Sequence, residues 1–280
     1  MKKLFCLFLA ISMVLSLSIS AFAADESDYE YIMNKGTLIV GFDDAFPPFS
    51  YESDDGTYTG FDLACAAELA DRWGLEIVYQ PVAWSSKEQE LNSKNIDIIW
   101  SGLGINVDRL KVVSMSDVYC QDGGAIVCKP DSGITGVADL AGKTIAVQAG
   151  NGYIIKLDEA VVDTFGEMIY QDTTAELLMQ LDVGGCDAVI CDSVSASYTA
   201  AQSGYDFLYI DITEDLGGDL SNYAVGARLG SDDLIEKINE TLHEMYEDGT
   251  LTELSVEFLG ADYASDCYIP DILAEARAAD

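Results

Sequence analysis

The sequence predicts an α/β protein of two lobes, each a βαβ sheet with helices on both faces. Short apolar runs of strand length alternate with amphipathic stretches of helix length, the signature of a largely parallel sheet. That alternation runs twice along the chain, once over residues 37–128 and again over 144–210. It breaks near residue 222, where one apolar run is followed by two helical stretches in succession. Two such sheets joined by chain crossings leave a cleft between them, and ligands of these sheets bind beyond the carboxyl ends of the strands.

Residues 1–23 stand apart from this pattern. Lys2 and Lys3 precede an apolar run over 4–19, and Ala21-Phe22-Ala23 is a small-residue cleavage site. This arrangement predicts a secretory signal peptide cut after Ala23, hence an exported protein. No later run approaches the ~18 apolar residues of a membrane span. Residues 25–35 read as polar and loose.

In the first array, 37–41 reads as a buried strand. Residues 43–49 form a loop stiffened by Pro47 and Pro48, and Asp55-Gly56 is a turn dipeptide. A helix over 61–73 places Leu63, Ala66, Ala67, Ala70 and Trp73 on one face and stops at Gly74. A strand over 76–79 follows. Ser86 and Gln89 read as a capping box opening a helix to residue 94. Residues 96–100 form a buried strand, 108–111 a helical turn and 124–128 another strand. The second array holds strands at 144–148, 168–170, 187–191 and 207–210. Its helices are at 153–164, 173–182 (opened by a Thr173/Glu176 capping box) and 193–201. A strand at 223–227 and helices at 232–248 and 250–259 complete the fold, with a tail beyond.

A formal charge of −35 repels nucleic acid and anionic membranes. Six cysteines follow the leader: Cys65, Cys120, Cys128, Cys186, Cys191 and Cys267. A chain this large does not need staples, so buried thiols are favoured over bridges. The single histidine, His243, lies among acidic residues on a charged helix, and no zinc, phosphate-loop or Ser-His-Asp pattern is present. The sequence therefore predicts neither cofactor nor metal and points away from catalysis.

Five motifs in order carry a resemblance. Val40 to Phe49 (VGFDDAFPPF), Gly60 to Leu63, Asn95 to Arg109 (NIDIIWSGLGINVDR), Asp139 to Gly152 (DLAGKTIAVQAGNG) and Cys186 to Asp192 (CDAVICD) resemble the polar-amino-acid-binding proteins of the periplasmic solute-binding superfamily. The match spans roughly 36–260, with Asp248-Gly-Thr250 as a near-terminal turn. The resemblance implies a periplasmic binding protein-like fold of type II, with two hinge strands at 124–127 and 221–226. Lobe 1 is then 25–123 and 227–262, lobe 2 is 128–220, and the tail is 263–280. It implies a monomer that closes on its ligand by hinge bending and passes it to a membrane-embedded ABC permease.

The resemblance also assigns a site. An α-amino acid needs a cation for its carboxylate and an anion for its ammonium. Arg109 matches the carboxylate-binding arginine, suited to two parallel bonds, and Asp192 matches the ammonium partner. Gly102, Asn151 and Gly152 lie in the turns that offer backbone and polar groups. Phe46 and Trp84 match positions that sandwich the ligand side chain, and Asp43 matches one that reaches its far end. Gly104 stands where a threonine usually helps hold the carboxylate, with Asn106 or a water as its substitute. Gln148 and Cys191 also depart from the pattern. Asp43 with Gln148 suits a polar or cationic side chain, with cystine included. The alternatives are a sensor component with the same binding chemistry and a cyclohexadienyl dehydratase-like enzyme using Asp43 or Cys191 as its acid.

Overall fold

The computed structural model describes residues 26–157, 159–215, 222–264 and 266–278. The expected signal peptide and residue 221 of the expected second hinge lie outside the described residues.

Residues 28–35, expected to be loose, form helix α1 (Asp28–Lys35). Ser27 and Glu30 close a capping box, and Gly36 ends the helix in the left-handed conformation. Asp28 then pairs with Arg228 at 2.9 Å, tying the helix to a strand about 200 residues distant. Strand β1 (Thr37–Phe42) leads into a small antiparallel sheet of β2 (Ala45–Phe46), β3 (Ser50–Glu52) and β4 (Tyr58–Thr59). Gly60 introduces α2 (Phe61–Trp73) at φ 125°, where a Cβ would lie 2.4 Å from the Phe49 carbonyl oxygen, so only glycine fits.

β5 (Glu76–Pro81) precedes a short 3₁₀ turn and α3 (Lys87–Asn92). The expected capping box at Ser86 does not form: the Ser86 hydroxyl donates to the Ala83 carbonyl inside that turn. β6 (Ile98–Ile99) and α4 (Val107–Leu110) follow. β7 (Val113–Gln121), unread in the sequence because Ser114, Ser116 and Asp117 interrupt its apolar run, is the longest strand described. Then come β8 (Gly124–Cys128), β9 (Thr144–Gln148), α5 (Tyr153–Lys156) and α6 (Glu159–Val162). The single helix expected over 153–164 is thus two, because Leu157 takes an extended conformation after α5. β10 (Glu167–Gln171), α7 (Thr174–Asp182), β11 (Ala188–Asp192), α8 (Ser193–Ser203) and β12 (Leu208–Asp211) complete the second array. The Thr173/Glu176 capping box opens α7 as expected. β13 (Asn222–Arg228), α9 (Asp232–Glu247), α10 (Thr250–Leu259) and α11 (Asp271–Ala278) close the chain.

Two five-stranded sheets result, ordered β5-β1-β6-β13-β7 and β10-β9-β11-β8-β12. In each, three strands are parallel, and the remaining two run antiparallel to their neighbours. Both faces of the second sheet are buried: Ile126, Ile145, Val147 and Ile190 pack on one side, and Val127, Ala146, Val189 and Leu178 on the other. The first sheet buries Leu38, Val40, Ile98 and Val225 against α2 and α9. The chain passes from the first sheet to the second at Asp122 and Gly123, and returns between Asp211 and Asn222. Residues 124–127 and 222–226, expected as hinge strands, are themselves sheet members, with β8 paired to β11 and β12 and β13 paired to β7.

The tail folds back over this crossing. Gln121 N–H donates to the Tyr263 carbonyl at 3.0 Å, and the Tyr268 hydroxyl joins Gln121 and Asn222 at 3.0 and 2.8 Å. Cys65, Cys120, Cys128, Cys186 and Cys191 are buried free thiols, and Cys267 is buried with its Sγ donating to the Leu242 carbonyl. Among the described residues, no helix is long and apolar enough to cross a membrane.

Candidate functional site

The carboxyl ends of four parallel strands, two from each sheet, converge on one gap. β1 delivers Asp43, β6 delivers Ser101 and Gly102, β9 ends in Gln148, and β11 ends in Asp192. A partly open cavity lies there, lined from the first lobe by Phe46, Trp84, Gly104, Arg109 and Tyr223 as well, and from the second by Asn151, Gly152 and Tyr153. Ten of the eleven residues assigned to the ligand site thus line one cavity between the lobes.

Asn106 is the exception. Its Oδ1 accepts the Arg109 N–H at 2.8 Å, so it caps α4 and does not line the cavity. Its Oδ1 thereby orients the arginine through the backbone.

Arg109 is 8 % exposed. Its Nη1 donates to the Gly104 carbonyl, while Nε is buried without a hydrogen-bond partner. Glu88 lies 3.6 Å from that Nε and opposes the downward pull of burial on the guanidinium pKa. Lys87, next to it, is almost wholly buried: its ammonium donates to the Trp84 carbonyl at 2.9 Å and, across the gap, to the Gly150 carbonyl at 3.3 Å. Burial pulls its pKa down to about 8, helped by Arg109.

Asp43 lines the same cavity. Its Oδ1 accepts the Ala45 N–H at 2.9 Å, and its Oδ2 accepts Gln148 Nε2 at 2.7 Å from the other lobe. Burial raises its pKa despite these bonds. A hydrogen bond to a charged group contributes about 1.5–3 kcal/mol, and this one exists only while the lobes are together.

Asp192 is positioned by β11 and begins α8, but its side chain does not cap that helix. Instead its Oδ1 accepts the hydroxyls of Tyr153, at 2.5 Å, and Tyr223, and its Oδ2 meets Asn151 Nδ2 at 3.4 Å. Burial raises its pKa, against the pull of those hydroxyls. Gly102 takes φ 51° and presses on Phe46, whose ring a Cβ would meet at 2.5 Å. Its N–H is held by the buried carboxylate of Asp62 at 2.6 Å. Phe46 in turn stacks on Phe49 at 5.1 Å between ring centroids.

The cavity therefore offers a guanidinium donor on one lobe and a carboxylate on the other, with two aromatic walls between. The model for bacterial extracellular solute-binding proteins, family 3, matches residues 38–261. The chain belongs to that family. It is 32 % identical to the L-cystine-binding protein TcyJ of Escherichia coli K12, over 91 % of this chain and 94 % of that one. It is 30 % identical to the arginine-binding extracellular protein ArtP of Bacillus subtilis, over 91 % and 96 %. Among solved structures it resembles an ABC uptake transporter substrate-binding protein of Streptococcus pneumoniae with bound histidine (TM-score 0.78, 30 % identity, 85 % of this chain and 98 % of that one). The two-lobed architecture is that of these amino-acid-binding proteins. A cyclohexadienyl dehydratase of Pseudomonas aeruginosa is also similar, at 27 % identity over 67 % of this chain.

Sequence reasoning missed Tyr153 and Tyr223 in the wall and Asp62 behind it, whereas Ser101 follows a strand end and reads as a cleft position. The two tyrosines had none, since neither follows a strand end. Cys191, named as a possible acid, faces the helix side of its sheet, packed with Leu177, Val189 and Ala196.

Proposed function

We propose that this protein is the extracytoplasmic binding component of an amino-acid ABC importer. It takes a free L-amino acid between its lobes and presents it to a membrane-embedded permease. The observation that carries this reading is the pair of opposed groups on one cavity: Arg109, whose buried Nε has no hydrogen bond although Glu88 stands 3.6 Å away, and Asp192, whose Oδ2 has, among the described residues, a long contact to Asn151. A ligand carboxylate would satisfy the first and a ligand ammonium the second. Because the two groups belong to different lobes, the zwitterion favours closure by contacts made only when both are present. Asp43 and Gln148 in the same lining suit a polar or cationic side chain, and relatives named for cystine and arginine fit that preference.

An exported location agrees with the family and with the predicted leader. The dehydratase reading has one observation in its favour, a buried Asp43 with a raised pKa. Both its oxygens are already engaged, by Ala45 and Gln148, so it is poorly placed to give a proton to a substrate.

A calorimetric screen of the common L-amino acids and L-cystine tests the proposal, with Arg109→Ala as the control. Truncating one partner of a buried charge pair costs about 2–5 kcal/mol, which is roughly 30- to 4,000-fold in affinity. Unchanged affinity in a folded Arg109→Ala protein would refute the assignment. Release of phenylpyruvate from prephenate would move the protein to the dehydratases.

A further inference from the structure

The first crossing between the lobes carries a second buried carboxylate. Asp122 is 3 % exposed and Asp192 is 7 % exposed. Asp122 Oδ1 accepts the Gly123 N–H at 2.6 Å, the Ser193 hydroxyl at 2.8 Å and the Val194 N–H at 3.3 Å. Its Oδ2 reaches the Tyr223 hydroxyl at 3.2 Å, and that same hydroxyl contacts Asp192 Oδ1. A phenol has one proton and can donate it to only one of the two carboxylates.

The titratable groups that interact with this pair are the Tyr153 and Tyr223 hydroxyls and the Cys120 and Cys191 thiols. None is a cation, and among the described residues neither aspartate has a salt-bridge partner. Two neighbouring carboxylates out of water and without a counter-ion cannot both ionise cheaply.

We propose that Asp122 and Asp192 share one proton in the ligand-free protein, and that an arriving amino-acid ammonium expels it to solvent. Asp122 is then a positioning residue that sets the pH range of binding while touching no ligand. This rests on the amino-acid reading of the site. The ligand keeps its own three ammonium protons and donates toward Asp192 Oδ2, the oxygen held only by the 3.4 Å contact with Asn151. The proton lost is the one that neutralised the pair. In support, burial and the neighbouring Asp192 push Asp122 up to about 7, and burial raises Asp192 as well.

The sign follows from linkage. The pair holds its proton more tightly when free than when an ammonium is present, so binding releases a proton below about pH 7 and affinity falls as pH falls, by up to about tenfold per unit. Above that range the affinity is flat.

Titration calorimetry of the full mature chain at pH 6, with L-arginine and L-cystine as probes in buffers of different ionisation enthalpy, counts the protons. Close to one proton released per ligand is expected for the wild type, and close to none for Asp122→Asn, whose affinity profile from pH 5 to 8 also flattens. A wild-type count near zero overturns the proposal without recourse to a variant, as does an Asp122→Asn protein that releases as many protons as the wild type. If neither probe nor any other common amino acid binds at pH 8, the amino-acid reading itself fails. Tight binding without proton release sinks only the present inference.

Discussion

Asp62 holds the floor of the cavity and carries a large electrostatic cost. Its carboxylate is completely buried and accepts the Gly102 N–H at 2.6 Å and the Tyr119 hydroxyl at 2.7 Å, and among the described residues no cation lowers its pKa. Burial lifts its pKa from 3.8 to about 7, more than those two bonds lower it. A carboxylate raised on folding contributes stability at low pH that is lost as pH climbs toward the folded value. The displacement is worth about 4 kcal/mol between pH 4 and pH 8. Asp62→Asn removes this titration while keeping the contacts: its carbonyl oxygen receives Gly102, and its amide donates to the Tyr119 oxygen. The stability difference between wild type and Asp62→Asn should therefore fall by about 1.4 kcal/mol per pH unit between roughly pH 4 and 7. At about 2–4 °C per kcal/mol for a chain of this size, the relative melting temperatures shift by on the order of 10 °C across that range. Urea melts of both proteins at intervals of half a pH unit measure this directly. A difference curve that stays flat would refute the account. Asp62→Ala, by contrast, strands two buried donors at about 1–3 kcal/mol each at every pH, and ligand affinity should fall with the loosened Gly102 turn.

Gly150→Ala should weaken ligand binding about tenfold or more, since a Cβ at φ 80° would lie 3.0 Å from Ser85 Cα and 3.2 Å from the Trp84 carbonyl oxygen of the facing lobe. Calorimetry with the best ligand of the screen checks this, and an unaltered affinity would mean that the lobes do not approach so closely when occupied. Tyr268→Phe removes the hydroxyl that joins Gln121 and Asn222 at the crossing, and should cost about 1 kcal/mol. Chemical denaturation reads this out, and a loss within error would show that the tail does not brace the crossing.

Local pattern alone located the strand ends, and with them most of the cavity. Asp43, Gly102, Gln148 and Asp192 were found because buried strands of a βαβ unit announce themselves by short-range apolar runs, and the cleft lies at their carboxyl ends. The resemblance added the roles. Errors arose where one residue type serves two structures. Ser86 had the spacing of a capping box but sits in a 3₁₀ turn, and Asn106 was assigned to the ligand but caps α4. The polar stretch before residue 36 concealed α1, whose stability comes from packing on distant residues such as Arg228.

By itself, then, the sequence determined the two α/β lobes, their order along the chain, the strongly acidic charge, and the candidates for an opposed guanidinium and carboxylate. Only the tertiary structure decided the partners of the buried charges: Tyr153 and Tyr223 on Asp192, Asp122 beside them, Asp62 beneath Gly102, and Gln148 against Asp43. The reason is physical. A strand or cap is set by neighbours a few residues away, whereas the pairing of a buried carboxylate depends on which side chains the folded chain brings to it across separations of 31 to 105 residues, and no local pattern encodes that.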